Sequence, residues 1–408
     1  MFTVNILHVV QCYNPPVLGG AETYVRELSE HLTLRNHKVS VFTSDLASIK
    51  PRRQIRNGSQ KIGGVSVHYF KTTHLPPLGF LNILNKTFDH RFQSVRNISL
   101  PLRLFSNPQM PYLASKIGFG DWDLVNATSF PWSSVVLAYY GAKMSNIPFI
   151  VMPLFHVGHP EYECNSFFEL LRKSDAIIAL TNYELEYLAT KSIPKEKIHV
   201  IGAGVNPKEF IAANSERFKA KYGLRNSQII LFMGNRIPTK GIFTLIESMR
   251  YVRRNYPNSQ LVLAGRSGKE YDQYYSNLPP KLKSTIVDVG VLPKQEKADA
   301  FAAADIFVMP SNFESIGLVY LEAWMCSTPV IGSYSKTLSC VINDGEDGFL
   351  IDFGDSVMLG KKIVYLLKND ALREAMGKAG KKKVLKNYTW NRITSKIEML
   401  YKSVVNNY

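Results

Sequence analysis

Glu314 and Glu322 lie eight residues apart in PSNFESIGLVYLEAWMCSTPVIGS (310–333). The segment reads as a strand end, a short turn, a helix and another strand, so Glu314 falls in the turn with its carboxylate facing the opening beyond the strand. Glu322, about two turns into the helix at 3.6 residues per turn, points back to the same opening. Gly317 lets the backbone approach a ligand closely. The N–H groups of Ile316, Gly317, Leu318 and Val319 then make a helix N-terminus suited to phosphate. Two glutamates at this spacing would otherwise read as a solvated helix face. Upstream, LFMGNRIPTKGIFTLIESM (231–249) places Arg236 and Lys240 in a loop between a strand and a helix. Two cations four residues apart can neutralise a leaving diphosphate, Arg with a planar fork of donors and Lys as a point charge. The alternative is a pair of unrelated surface cations.

These segments resemble retaining glycosyltransferases of family 4. The first resembles the family line P-S-x-x-E-x-F/I-G-L-x-x-L-E-A with its E-x7-E signature, and the second resembles G-R-x-x-x-x-K-G, written GNRIPTKG here. LVLAGRSG (261–268) and VDVGVLPKQE (287–296) are similar to the lines A-G-x-G and G-x-V/L-x-x-x-E/D. The resemblance implies that Glu314 contacts the donor sugar and Glu322 the ribose hydroxyls. It also implies that the backbone around Arg266 and Val291 surrounds the nucleobase. PPVLGGAETYV (15–25) resembles the family's P-x-x-G-G-x-E loop, which makes Gly19 and Gly20 a substrate turn; Glu22 reads equally as a residue favoured by the helix dipole. FIVMPLFHVGHP (149–160) supplies His156, at the place of the family histidine that touches the donor sugar, with His159 off the pattern. One stretch departs from the family: YSKTLSCVINDGEDGFLID (334–352) lacks the usual Gly-Gly-x-x-E, which puts the geometry of that donor-facing loop in question.

The elements that must position these residues alternate strand and helix. VNILHVV, KVSVFTSD, VSVHYF, DLVNAT, PFIVMP, DAIIALT and KIHVIGAGV read as strands. AETYVRELSEHLTLRNH reads as a helix with Val25, Leu28, Leu32 and Leu34 on its apolar face. The pattern restarts near residue 228 with QIILFMG, QLVLAG, TIVDVGVL, DIFVMP and TPVIGS, and GEDGFLID ends it as a turn and edge strand. Such alternation predicts parallel sheets with helices on both faces. The expected fold class is α/β, two facing Rossmann-like doubly wound domains with an interdomain cleft, the GT-B fold that the resemblance implies. Expected boundaries are an acceptor domain over 1–205, a donor domain over 206–385, and a C-terminal helix over 386–408 crossing back to the first domain.

Length and composition agree with two domains: 408 residues exceed one ordinary core, and 45% hydrophobic with 20% charged residues describes a globular chain. No run of apolar residues reaches membrane-spanning length. The opening MFTVNILHVVQCY lacks a basic start and a cleavage site, and reads as a buried strand rather than a signal peptide. Four scattered cysteines without CxxC spacing fit reduced thiols in the cytoplasm. The formal charge is +16, and residues 46–120 hold eleven Lys or Arg against the single acid Asp89. Apolar pieces HLPPLGFLNIL and NISLPLRLF interleave with these cations. That mixture suits an anionic membrane surface or a lipid-linked acceptor, with a solvated basic surface as the plain alternative. No nucleic-acid reader motif is present.

Asp121-Trp122-Asp123 spells D-x-D, a metal signature of a different transferase fold, but here it enters the strand LVNAT. No metal and no cofactor are therefore expected. The combined reading is transfer of a hexose-type sugar from a UDP- or GDP-linked donor to an acceptor hydroxyl on a lipid-linked sugar or glycan. A metal-independent front-face route with retention is expected, in a cytoplasmic protein for which peripheral placement at the inner face of the membrane is one option. A sugar-nucleotide epimerase or hydrolase, a phosphorylase, and a non-catalytic nucleotide-sugar-binding protein are the rivals.

Overall fold

The structure, a computed structural model, describes residues 3–13, 19–48, 53–54, 58–73, 100–105 and 108–408. The chain forms two compact units, one of Met1–Ala203 with Trp390–Tyr408 and the other of Gly204–Thr389.

In the first unit the strands are β1 (Asn5–Val10), β2 (Lys38–Ser44), β3 (Leu46–Ser48), β4 (Arg53–Gln54), β5 (Gly58–Ile62) and β6 (Val65–Phe70). They continue with β7 (Leu124–Thr128), β8 (Phe149–Met152), β9 (Ala176–Ala179) and β10 (Ile198–Val200). Eight of them form one sheet in the order β10-β9-β8-β7-β1-β2-β6-β5. All its pairings are parallel except that of β5 with β6, a hairpin at the edge that apolar alternation did not announce. β3 and β4 pair separately, antiparallel. Strands such as Val125–Ala127 and Phe149–Met152 are buried on both faces, which is why they read as unbroken apolar runs.

The chain moves outward from β1 to β2 and β6, then returns to β7 on the other side of β1. The loop carrying Gly19 and Gly20 therefore leaves the sheet at its topological switch point, where ligands of such sheets bind beyond the strand ends. The helix Gly20–Thr33 buries Tyr24, Val25, Leu28 and Leu32. Leu34, expected on the same face, lies past the last helical residue and is 79% exposed.

The last helix, Trp390–Asn406, packs in this unit against Gly20–Thr33. Trp390 meets Tyr24 edge-on at 5.0 Å. Arg35 donates to Glu398 at 2.8 Å. At the centre, His8 of β1 is held between Ser29 Oγ at 2.7 Å and Tyr401 OH at 3.1 Å, and Asn126 of β7 donates to the same Tyr401 hydroxyl.

In the second unit β11 (Ile229–Met233), β12 (Gln260–Ala264), β13 (Ile286–Gly290), β14 (Ile306–Met309), β15 (Val330–Ser333) and β16 (Gly348–Ile351) form one parallel sheet. Its order is β13-β12-β11-β14-β15-β16, so the switch point lies between β11 and β14.

No described helix is long and apolar enough to cross a membrane. Arg103 of the basic window is internal: it is 4% exposed, bonded to Ser166 at 2.9 Å and stacked on Phe167 at 4.8 Å. Lys50, Arg52, Arg56, Lys86, Arg91 and Arg96 lie outside the described residues, as do HLPPLGFLNIL and the start of NISLPLRLF.

Burial drives the His8 pKa down to about 3. Between the ordinary histidine value and that figure the unfolded chain binds a proton that the folded chain does not, so stability falls as pH falls through this window. His8→Gln removes this dependence. From about pH 7 to about pH 5.5, urea unfolding is expected to show wild type losing about 1.3 kcal/mol relative to the variant. Parallel pH curves for the two proteins would refute the buried neutral imidazole.

Candidate active site

The second unit builds its site at the β11/β14 switch point. The loop after β11 ends in a single tight turn, Pro238–Lys240, followed by Gly241 at φ 70°. A Cβ at Gly241 would lie 2.0 Å from the carbonyl oxygen of Pro310, so the loops after β11 and β14 touch backbone to backbone, as only glycine allows. Asn312 N–H donates to Thr239 O at 2.8 Å, and Ser311 Oγ donates to the same carbonyl at 3.2 Å. This contact brings Lys240 Nζ to 2.5 Å from Glu314 Oε1, two residues 74 apart in sequence. The Glu314 side chain is 9% exposed and the Lys240 side chain 23%. A charge so placed needs its partner close by.

Beyond Glu314 the backbone turns at Gly317, φ 69°, whose missing side chain leaves room for the Tyr320 ring. The helix runs Leu318–Met325. Leu318 and Val319 are its first two residues, and their N–H groups have no carbonyl one turn earlier to bond. Ile316 lies ahead of the helix and is buried. Glu322 is the fifth helical residue rather than two full turns in, and it is ion-paired with Lys297 of the helix Lys294–Ala303. Each glutamate of the pair thus has its own lysine, and no sequence pattern singled out Lys297.

Arg236 requires a correction. Counted on G-R-x-x-x-x-K-G, the arginine place belongs to Asn235, which is exposed, and Arg236 turns the other way, 3% exposed. Its Nη1 donates to Asp288, its Nη2 donates to Gly265 O at 2.7 Å, and its plane covers Tyr271 at 4.9 Å. The Asp288 and Tyr271 contacts raise its pKa against the cost of burial. Its guanidinium is therefore engaged by Asp288, the Gly265 carbonyl and Tyr271. The side chains of Arg266 and Val291 are exposed at the ends of β12 and β13. In the loop that departs from the family, buried Leu338 would lie 3.7 Å from a Cβ placed on Gly317, so an apolar side chain lines the turn there.

In the first unit Gly19 caps the helix Gly20–Thr33, and its carbonyl accepts the Thr23 N–H at 3.1 Å. Glu22 is in the first turn. His156 follows β8 and stacks on Tyr162 at 5.1 Å, with His159 edge-on at 6.4 Å. Glu184, in the helix Asn182–Thr190, is 1% exposed and accepts the Leu180 N–H at 2.8 Å. Burial pushes its carboxyl up to about 8. The spacing Thr181-x-x-Glu184 is a capping box that could have announced it: Thr181 Oγ1 accepts the Glu184 N–H at 3.1 Å. Asp123 of the D-x-D triplet accepts the Asn5 N–H at 2.7 Å at the start of β1. Among the described residues no cluster of three or more His, Cys, Asp or Glu is placed to hold a metal ion.

Residues 18–209 match the family described as Glycosyltransferase Family 4, and residues 214–383 match Glycosyl transferases group 1. A phosphatidyl-myo-inositol mannosyltransferase of Mycobacterium leprae is 33% identical over 182 residues, 44% of this chain and about half (48%) of that relative's length. A D-inositol 3-phosphate glycosyltransferase of Segniliparus rotundus is 25% identical over 89% of this chain and 80% of its own. Among solved structures, the sucrose-phosphate synthase of Thermosynechococcus elongatus superimposes with a TM-score of 0.78 at 21% identity, covering 99% of each chain. Anabaena HepE, in complex with UDP and glucose, superimposes with 0.75 at 16% identity, covering 98% of this chain and all of its own. The fold is therefore GT-B. With both halves of the chain matched in order, the protein belongs to the family 4 glycosyltransferases.

Proposed function

We propose that the protein transfers a hexose-type sugar from a UDP- or GDP-linked donor to an acceptor hydroxyl on a lipid-linked sugar or glycan, with retention at the anomeric carbon. The observation that carries this reading is the meeting of Lys240 and Glu314 at the switch point, one turn ahead of the Leu318–Met325 helix. An ammonium, a carboxylate and a helix N-terminus together suit a sugar linked to a diphosphate. Lys240 and the Leu318 and Val319 amides would hold the diphosphate, Glu314 the sugar, and Glu322 the ribose hydroxyls. In the first unit, the Gly19–Gly20 turn and His156 are the groups offered to substrate.

In the proposed step the bond from the anomeric carbon to the diphosphate oxygen breaks through an oxocarbenium-like state. The acceptor oxygen bonds to that carbon on the same face, and its proton passes to the departing phosphate oxygen. The charge gathering on the leaving group falls to Lys240 and the helix amides, with no metal called for.

The lipid-linked acceptor is favoured by the basic window. Lys61, Lys71 and Lys116 are exposed there, and Tyr112 and Phe119, flanking Lys116 in sequence, are 78% and 84% exposed. Cations beside exposed aromatic rings fit an anionic bilayer surface. The M. leprae relative is named for a phosphatidylinositol substrate.

Glu314→Ala is expected to lower transfer by at least about a thousandfold while leaving the melting temperature within a few degrees. Retained activity would remove Glu314 from the site. Calorimetry with UDP, GDP and ADP should show one of the first two binding, and binding of none would sink the donor reading. Proton NMR of the first product should show the donor's anomeric configuration, with rates unchanged in EDTA; an inverted product or an EDTA-dead enzyme would overturn the mechanism. The protein should co-sediment with phosphatidylglycerol vesicles at low salt and release at high salt, where the Debye length falls to about 3 Å. No binding at low salt would remove the membrane component.

A further inference from the structure

The loops after β11, β12 and β13 lie against one another closely enough to exclude side chains. A Cβ on Gly265, φ 125°, would lie 2.0 Å from the carbonyl oxygen of Gly234. Backbone bonds run across them: Gly234 N–H to Ala264 O at 2.9 Å, Arg236 N–H to Arg266 O at 2.8 Å, and Gly265 N–H to Gly290 O at 2.7 Å. Arg236 spans all three with one side chain. It starts in the first loop, donates to the Gly265 carbonyl in the second, and donates to Asp288, the third residue of β13. Asp288 in turn accepts the Gly290 N–H at 2.9 Å, so the third loop is tied through the same carboxylate. Tyr271, from the helix Lys269–Ser276, closes the other face of the guanidinium. Only a planar fork satisfies a carbonyl and a carboxylate on two different strands while stacking on a ring; an ammonium cannot.

We propose that Arg236 is a positioning residue that clamps the β12–β13 flank of the nucleotide site and makes no contact with phosphate. This rests on the reading of the switch point as the donor site. The flank surrounds the base of the nucleotide and adds affinity there, whereas Lys240 and Glu314, on the β11/β14 side, carry the chemistry. Loss of the clamp therefore raises KM and leaves kcat at saturating donor nearly untouched.

Two measurements on the full chain decide it, with Arg236→Met and Arg236→Lys as the variants. In hydrogen–deuterium exchange without nucleotide, the Gly265 and Gly290 amides of Arg236→Met should exchange about tenfold faster, while the Leu318–Met325 helix keeps its protection. Unchanged exchange at Gly265 and Gly290 overturns the clamp, whether or not the chain binds a nucleotide. In titrations with UDP against UMP and GDP against GMP, both variants should bind the diphosphate and the monophosphate of the preferred base more weakly by the same factor, about tenfold. A loss confined to the diphosphate, or one rescued by lysine, would make Arg236 a phosphate ligand and overturn the proposal. Failure of the wild type to bind any of the four overturns the donor-site reading and the nucleotide part of this proposal, while the exchange result still decides the clamp.

Discussion

Two opposite charges 2.5 Å apart, Lys240 and Glu314, sit where the second sheet reverses its direction of growth, and the local backbone is arranged around keeping them together. Glu314 has little solvent to hold its charge. Desolvating a carboxylate costs several kcal/mol unless a partner replaces the lost water. The partner comes from a loop 74 residues earlier, so the two loops must be fixed to a fraction of an ångström. Gly241 against the Pro310 carbonyl and Asn312 on Thr239 do this with backbone, leaving both charged side chains to meet each other. In the proposed reaction a diphosphate reaching Lys240 finds a cation already held in place by Glu314, so less reorganisation is left for the moment of bond breaking.

The first unit solves a different problem with the same economy of parts. Its sheet also changes direction, between β7 and β1, and the Gly19–Gly20 turn leaves there. What holds the last helix to this sheet is a polar rivet through the core: Tyr401 receives Asn126 and faces His8, and His8 leans on Ser29. A buried polar network of this kind is stabilising only when its members are bonded and the imidazole stays neutral. The Trp390 ring against Tyr24 and the Arg35–Glu398 pair add apolar and charged contacts at the helix's start and outer face.

The doubly wound sheets were legible in the sequence because their strands are buried on both faces, and Ile229–Met233 or Ile306–Met309 must then be written in apolar residues throughout. Glu314, Gly317 and Lys240 were legible because backbone geometry dictates glycine and chemistry dictates charge at fixed offsets. The β5–β6 hairpin was not: GSQKI is solvent-facing along most of its length and carries no apolar alternation. Lys297 was not, because a lysine in the first turn of the helix Lys294–Ala303 looks like any surface residue until the fold brings Glu322 to it. Glu184 had its signature in Thr181-x-x-Glu184, yet a capping box announces a helix start and says nothing of how deeply the carboxylate will be buried.

Arg236 shows how a shift of one residue changes what a cation faces. In extended chain, successive side chains point to opposite sides, so a shift of one residue exchanges an exposed position for a buried one. Asn235 faces out and Arg236 faces Gly265, just past β12, and Asp288 of β13. The cation at the proposed diphosphate position is then Lys240 with a full charge, joined by the Leu318–Met325 helix with about half a charge at its N-terminus. That sum is smaller than the charge of a departing nucleoside diphosphate. Lys240 must therefore serve Glu314 and the leaving group together, from the same ammonium with its three donors. Its reach is set by the tight turn Pro238–Lys240 and by Gly241, so the backbone contact at Pro310 governs how far the charge can follow the leaving oxygen.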